Sequence, residues 1–244
     1  MFGVSGAGYD TSTSIFSPEG RIFAAEYAKK AVEQGATSIG ILCKDGIVLL
    51  AEKRIQPLQE PDSVEKISKI DSHIGVATSG FMADARRLIQ ESRVKAQSYW
   101  LTYEEPIPAE ALAEYICDLK AQYTQGGGVR PYGVAMIIGS VDPDESPRLF
   151  VTDPVGTYWG YLAAVIGRGA SVAGEYLQKH YKKTMNLKQA TNLALDTLRN
   201  GSDTEFTVDN IEIAHIPLKT SKFKKLDAAE IDAYLNPKNA KPTE

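Results

Sequence analysis

Cysteine is scarce in this chain, with two in 244 residues. Cys43 and Cys117 lie in apolar patterns on separate predicted elements. This excludes a disulfide framework, and both read as buried thiols of a reducing compartment. Histidine is almost as rare. His73, His180 and His215 are scattered without zinc-ligand spacing, so neither a metal nor a cofactor is expected. Long apolar runs are also missing, since a stretch such as Val134-Ala135-Met136-Ile137-Ile138 is far too short to span a bilayer. The first ten residues hold no Lys or Arg and no apolar core, so no secretory signal is expected. Basic residues do not outnumber acidic ones; the net charge of −4 argues against nucleic acid as a partner. The expectation is a soluble, cytoplasmic protein that binds neither membrane nor nucleic acid.

What is present is an ordinary globular composition, 43% hydrophobic and 24% charged, on a chain long enough for a sizeable core. The first 37 residues organise it. Ser17-Pro18-Glu19-Gly20 reads as a turn, and a helix is predicted from Arg21 to Gln34, with Gly35 ending it in the left-handed conformation that glycine tolerates. A helix of this length is marginal alone and must pack on something, its own sheet included.

Strands are predicted at Thr37–Cys43 and Gly46–Lys53, joined by the Asp45-Gly46 hairpin signal, and at Lys66–Ile70 and His73–Thr78. Helices follow at Phe81–Trp100 and Glu110–Tyr123, the second with Leu112, Tyr115, Ile116, Leu119 and Tyr123 as a core stripe. Tyr132–Val141, Pro147–Asp153 and Thr157–Trp159 read as strands, Gly169–Tyr181 and Asn186–Leu198 as helices, and Asn210–Ile216 as a closing strand. Asp227 N-caps a last helix to Leu235, and residues 236–244 should be a disordered tail. Gly167-Arg168-Gly169 reads as a strand-to-helix turn, not a phosphate loop, because the full glycine fingerprint is missing. Lys219, Lys222, Lys224 and Lys225 read as a solvated loop. Hairpin-linked strands and paired helices favour an α+β fold.

The N-terminal residues resemble a known family. Tyr9-Asp10, Phe16-Ser17-Pro18-Glu19-Gly20-Arg21-Ile22-Phe23, Glu26-Tyr27-Ala28 and Gly35-x-Thr37-x-Ile39-Gly40-Ile41 are similar to the signature of archaeal-type 20S proteasome α-subunits. Further landmarks keep family order: Lys53-Arg54, Ser63-x-Glu65-Lys66-Ile67, Thr78-Ser79-Gly80, Ala83-Asp84-Ala85-Arg86, Gly128-Val129-Arg130-Pro131-Tyr132-Gly133 and Asp153-Pro154-x-Gly156. The resemblance implies a four-layer α-β-β-α sandwich of two antiparallel sheets, the N-terminal nucleophile hydrolase fold, with an extra N-terminal helix. It implies a gate segment over residues 1–20, a sandwich domain over 21–235, and a homo-heptameric ring that stacks on β-subunits. The ring would admit unfolded protein substrates and dock the C-terminal tails of an AAA ATPase activator.

Site residues follow from the same resemblance. Gly35, Lys66 and Phe81 correspond to the activator pocket, with Phe81 where a smaller aliphatic residue is usual; by the residues alone Lys66 reads as a solvated strand-end lysine. Tyr9, Asp10, Pro18 and Tyr27 correspond to the gate cluster, and Thr11 stands where an arginine is usual, which implies a looser gate. Gly126, Gly127, Gly128 and Val129 correspond to the loop at the pore mouth, and by composition are a plain linker. In catalytic relatives the nucleophile is an N-terminal threonine whose own amine is the base. Ala36 occupies that place here, Thr37 is one position late, and Glu52 and Lys66 fall near the acid and lysine that tune it. No catalytic residue is therefore assigned. The alternative, an active β-like threonine protease or amidohydrolase, needs a processed nucleophile that the sequence does not offer in place. The purified chain, free of its β partner, should release no fluorophore from a peptide substrate in a reaction blocked by a threonine-directed inhibitor.

Overall fold

The computed structural model describes residues 15–125, 129–144, 146–202 and 204–236. A turn at Ser17–Arg21 closes with Gly20 N–H donating to Ser17 O at 2.8 Å, Gly20 taking the positive φ the turn requires. Helix α1 follows at Phe23–Glu33. Hairpin β1 (Ser38–Cys43) and β2 (Gly46–Glu52) is next, then a 3-10 turn at Pro61–Ser63 and hairpin β3 (Ile67–Asp71) and β4 (Ile74–Gly80). Helices α2 (Met82–Tyr103) and α3 (Ala109–Gln125) lead to β5 (Val134–Val141), β6 (Pro147–Thr152), β7 (Tyr158–Gly160) and β8 (Ala163–Ile166). Helices α4 (Ala170–His180) and α5 (Leu187–Asn200), strands β9 (Ile211–Pro217) and β10 (Lys224–Lys225), and helix α6 (Ala228–Leu235) follow in order.

The strands form two antiparallel sheets, ordered β10-β9-β2-β1-β8 and β3-β4-β5-β6-β7. Their period-2 patterning sorts the core into layers. In β2, Val48 and Leu50 join the cluster beneath α4 and α5, whereas Ile47, Leu49 and Ala51 face the other sheet. In β5, Val134, Met136 and Ile138 pack with α2 and α3, while Ala135 and Ile137 point between the sheets. Strands that are apolar on both faces must be covered on both, so helix pairs cap each side and the α-β-β-α sandwich results. Among the described residues, no helix is long and apolar enough to cross a membrane.

Four expectations need correction. Helix α1 is shorter than Arg21–Gln34, because Ile22 stays extended as its N-cap. Gly35 follows that helix without a positive φ. Space requires glycine there, since a Cβ would overlap Gly80 N and Ser79 Oγ. Strand β8 is an addition to the predicted elements; its two alanines give no alternation to read, and it exists because the outer edge of β1 recruits it. The Lys219–Lys225 run is not wholly a solvated loop. Lys224 and Lys225 pair with His215 and Ala214 as β10, and Lys225 Nζ lies 3.1 Å from Glu65 and 3.5 Å from Glu212. The tail beyond 236 lies outside the described residues.

Two polar side chains, one fully and one partly buried, tie helices to sheets. Lys120 of α3 is fully buried and donates to Val134 O (3.0 Å), Thr152 Oγ1 (2.8 Å) and Asp153 O (3.0 Å), which offsets the cost of burying its ammonium. His215 of β9 meets Thr191 Oγ1 of α5 at 2.9 Å. That hydroxyl already donates to Leu187 O, so His215 Nε2 carries the proton and donates. Burial pushes the His215 imidazole down to about 4, with Glu230 opposing and Lys224 assisting. A histidine held neutral makes the unfolded chain the better proton acceptor below its ordinary value. This contribution to stability is therefore intact above about pH 6.5 and lost as pH falls toward 4, on the order of 3 kcal/mol in all. Denaturant unfolding of the wild-type chain should show that loss between pH 6.5 and 4, and His215→Gln should flatten it.

Candidate functional site

The corner where β1 begins is where a nucleophile of this fold would stand. Ala36 is there, buried and without a hydroxyl. Thr37 N–H donates to Glu52 Oε2 at 3.2 Å, and its hydroxyl donates to Arg168 O. Glu52 Oε1 lies 3.9 Å from Arg54 Nε and 3.7 Å from Arg168. Gly167 closes the corner, because a Cβ there would stand 2.7 Å from Ala36 O and 2.6 Å from Ser79 Oγ. The first turn after α1 is thus consumed in structural bonds. Thr37 and Glu52 meet at this corner, and Glu52 lies near enough to Lys66 for its charge to favour the ammonium.

Lys66 lies just ahead of β3, not within it as expected, and is only 4% exposed. Its carbonyl accepts from Thr78 N at 3.2 Å. Its ammonium makes one polar contact among the described residues, 3.7 Å to Met82 Sδ, and a thioether is a weak acceptor. Burial, with Arg54 nearby, lowers the amine to about 8, against the opposing pull of Glu212 and Glu52. The ammonium persists below that value and is lost as pH rises through it. The solvated-lysine reading is therefore wrong. This is a buried cation without a strong acceptor among the described residues, which is unfavourable unless an anion completes it.

Gly35, Lys66 and Phe81 converge on one segment, residues 78–82. Gly35 abuts Ser79 and Gly80, Lys66 bonds Thr78 and touches Met82, and Phe81 is the N-cap of α2. Phe81 is 52% exposed, and its ring packs on Gly133 beneath the Arg130 guanidinium at 5.5 Å. Arg130 is held by Asp84 through a bidentate pair, both bonds 2.7 Å, and Asp84 also accepts from Gly133 N at 2.7 Å. Burial works against the Asp84 charge, but Arg130 and the Gly133 N–H outweigh it and hold the carboxyl below the usual range. The sequence marks Asp84 and Arg130 as separate landmarks; opposite charges in two turn-flanking motifs are the signal that they pair.

Of the gate residues, Pro18 sits exposed in the Ser17–Arg21 turn, and Tyr27 lies on α1, stacked on Phe23 at 6.4 Å with Lys30 over its ring at 5.9 Å. Tyr9 and Asp10 lie outside the described residues, as do Gly126, Gly127 and Gly128. Val129 is exposed beside Arg130.

A sandwich of two antiparallel sheets between helix pairs, with its first strand opening at such a corner, defines the class of N-terminal nucleophile hydrolase folds. Residues 32–216 match the model of the proteasome subunit family, and residues 9–31 match the N-terminal signature of its A-type members. The chain is 49% identical over 226 residues to the proteasome alpha chain of Methanothermobacter thermautotrophicus, covering 92% of this chain and 91% of that one. It is 45% identical over 233 residues to that of Archaeoglobus fulgidus (95% and 94%) and 46% over 231 residues to that of Pyrococcus horikoshii (94% and 88%). This chain belongs to the proteasome subunit family and, within it, to the α type.

Removing the Asp84 carboxylate would leave the Gly133 N–H unpaired and release Arg130 from above Phe81. Asp84→Ala should therefore lose about 2 kcal/mol of stability in denaturant unfolding, and Asp84→Asn less, since the amide oxygen can still accept from Gly133.

Proposed function

We propose that this chain is the non-catalytic α-subunit of a 20S-type proteasome core particle. The observation that carries the reading is the sealed corner at β1: Ala36 has no nucleophile, and the Thr37 amide and hydroxyl are both spent on Glu52 and Arg168. The proteolysis would then belong to partner β-subunits. Seven copies would form a homo-heptameric ring that templates the β ring. Residues 1–20, which include Tyr9, Asp10 and Pro18, would gate substrate entrance together with Tyr27 of α1, and the Gly126–Val129 loop would line the pore mouth for unfolded protein substrates. Family membership supports assembly with β-subunits, and with it a place in the cytoplasm.

The Gly35–Lys66–Phe81 site is the proposed dock for the C-terminal carboxylate of an ATPase activator tail. Its support is chemical. A buried ammonium whose one polar contact among the described residues is a thioether is completed by a carboxylate, and the half-exposed Phe81 offers an apolar wall beside it.

Native mass measured with and without a cognate β partner tests the assembly. The expected result is a species of seven or fourteen chains that grows when β is added and gains peptidase activity. A persistent monomer that ignores β would overturn the reading.

A further inference from the structure

Glu212 is a carboxylate in the wrong company. It lies on β9 between Ile211 and Ile213, whose side chains join the cluster beneath α4 and α5. Strand alternation therefore sends Glu212, with Ala214 and Ile216, toward the opposite sheet, and it is buried there. Its Oε2 accepts from two backbone amides at the entry to that sheet, Lys66 N at 3.0 Å just ahead of β3 and Ile67 N at 2.7 Å. Its Oε1 faces Lys225 Nζ at 3.5 Å, and Lys225 also holds Glu65 at 3.1 Å. One side chain thus bridges the two sheets at the residue where β3 begins.

We propose that Glu212 is the positioning residue of the Lys66 site: Oε2 fixes the chain at residues 66–67, and the carboxylate supplies negative charge to an ammonium that makes no ion pair among the described residues. This rests on the docking reading of Lys66. The consequence is a site tuned between two states. Arg54 disfavours the ammonium, whereas Glu212 and Glu52 favour it. Glu52 is in turn shared with Arg168 and Arg54, and Glu212 with Lys225. Glu212 is the member of this group that touches the Lys66 backbone. It therefore sets both where the lysine stands and how readily it stays charged.

Two substitutions separate these effects. Both backbone amides donate to the same oxygen, so Glu212→Gln can keep that acceptor while removing the charge. Glu212→Ala removes both. The chain is assembled with its β partner, and Lys66 reactivity toward acetic anhydride is followed against pH by mass spectrometry. Binding is followed by fluorescence anisotropy of one short peptide in two forms, with a free C-terminal carboxylate and with a C-terminal amide.

In Glu212→Gln the Lys66 labelling curve should move to lower pH. The preference for the free carboxylate should be lost at correspondingly lower pH, several-fold weaker than wild type at pH 8. Glu212→Ala should lose that preference at every pH at which the wild type shows it. An unmoved labelling curve in Glu212→Gln overturns the proposal, as does a wild-type preference in Glu212→Ala. Lys66→Ala isolates the underlying reading. If it still prefers the free carboxylate, docking at Lys66 is wrong, and the labelling curve alone decides whether Glu212 governs the lysine.

Discussion

The structure depends on a close approach of backbone to backbone beside Ser79. Helix α1 ends there, β1 and β4 pass there, and the β8–α4 turn closes over it. Ser79 Oγ donates to Val32 O at 3.2 Å, Gly35 lies against Gly80, and Gly167 lies against Ala36 and Ser79. Arg168 N–H donates to Gly35 O at 2.8 Å and ties the turn to the end of the helix. Side chains at Gly35, Gly80 or Gly167 would force these segments apart. Because they meet without side chains, α1 can sit on the open ends of β4 and β5, and the two sheets can close over a shared core.

That closeness also sets the bonding at the corner. In a catalytic relative of this fold the start of the first strand must be free, with an amine and a hydroxyl facing a substrate. Here the chain continues upstream into α1, and its polar groups are bonded to neighbours. The same economy leaves charges inside. Lys120 is satisfied by three oxygens and reads as structure. Lys66 is nearly as buried but meets only a sulfur among the described residues, so the two buried lysines differ in how far their charge is satisfied. Burial alone does not say whether a cation is satisfied; the count of acceptors does.

Much of the fold is legible in the sequence. The Asp45-Gly46 hairpin, the stripe of α3, the Asp227 cap that the structure completes with Glu230 and the turn at Ser17–Arg21 are local events, written in residues a few positions apart. Strand β8 is not, because Ala163 and Ala164 have no pattern until β1 gives them a partner. Glycine at position 35 suggests backbone freedom, whereas its real reason is crowding by Ser79–Gly80, a segment remote in sequence.

By itself the sequence determined the order of most elements, the α+β class, the alanine where a nucleophile would stand, and the family resemblance, which in turn implied the four layers. Each depends on residue identity or short-range periodicity. Only the tertiary structure decided that Lys66 is buried against a thioether, that Asp84 clamps Arg130 above Phe81, and that Glu212 holds the backbone at 66–67. Those contacts join residues up to 146 positions apart. Whether a charge inside a protein is satisfied depends on which acceptors the fold brings to it, and sequence spacing carries no record of that.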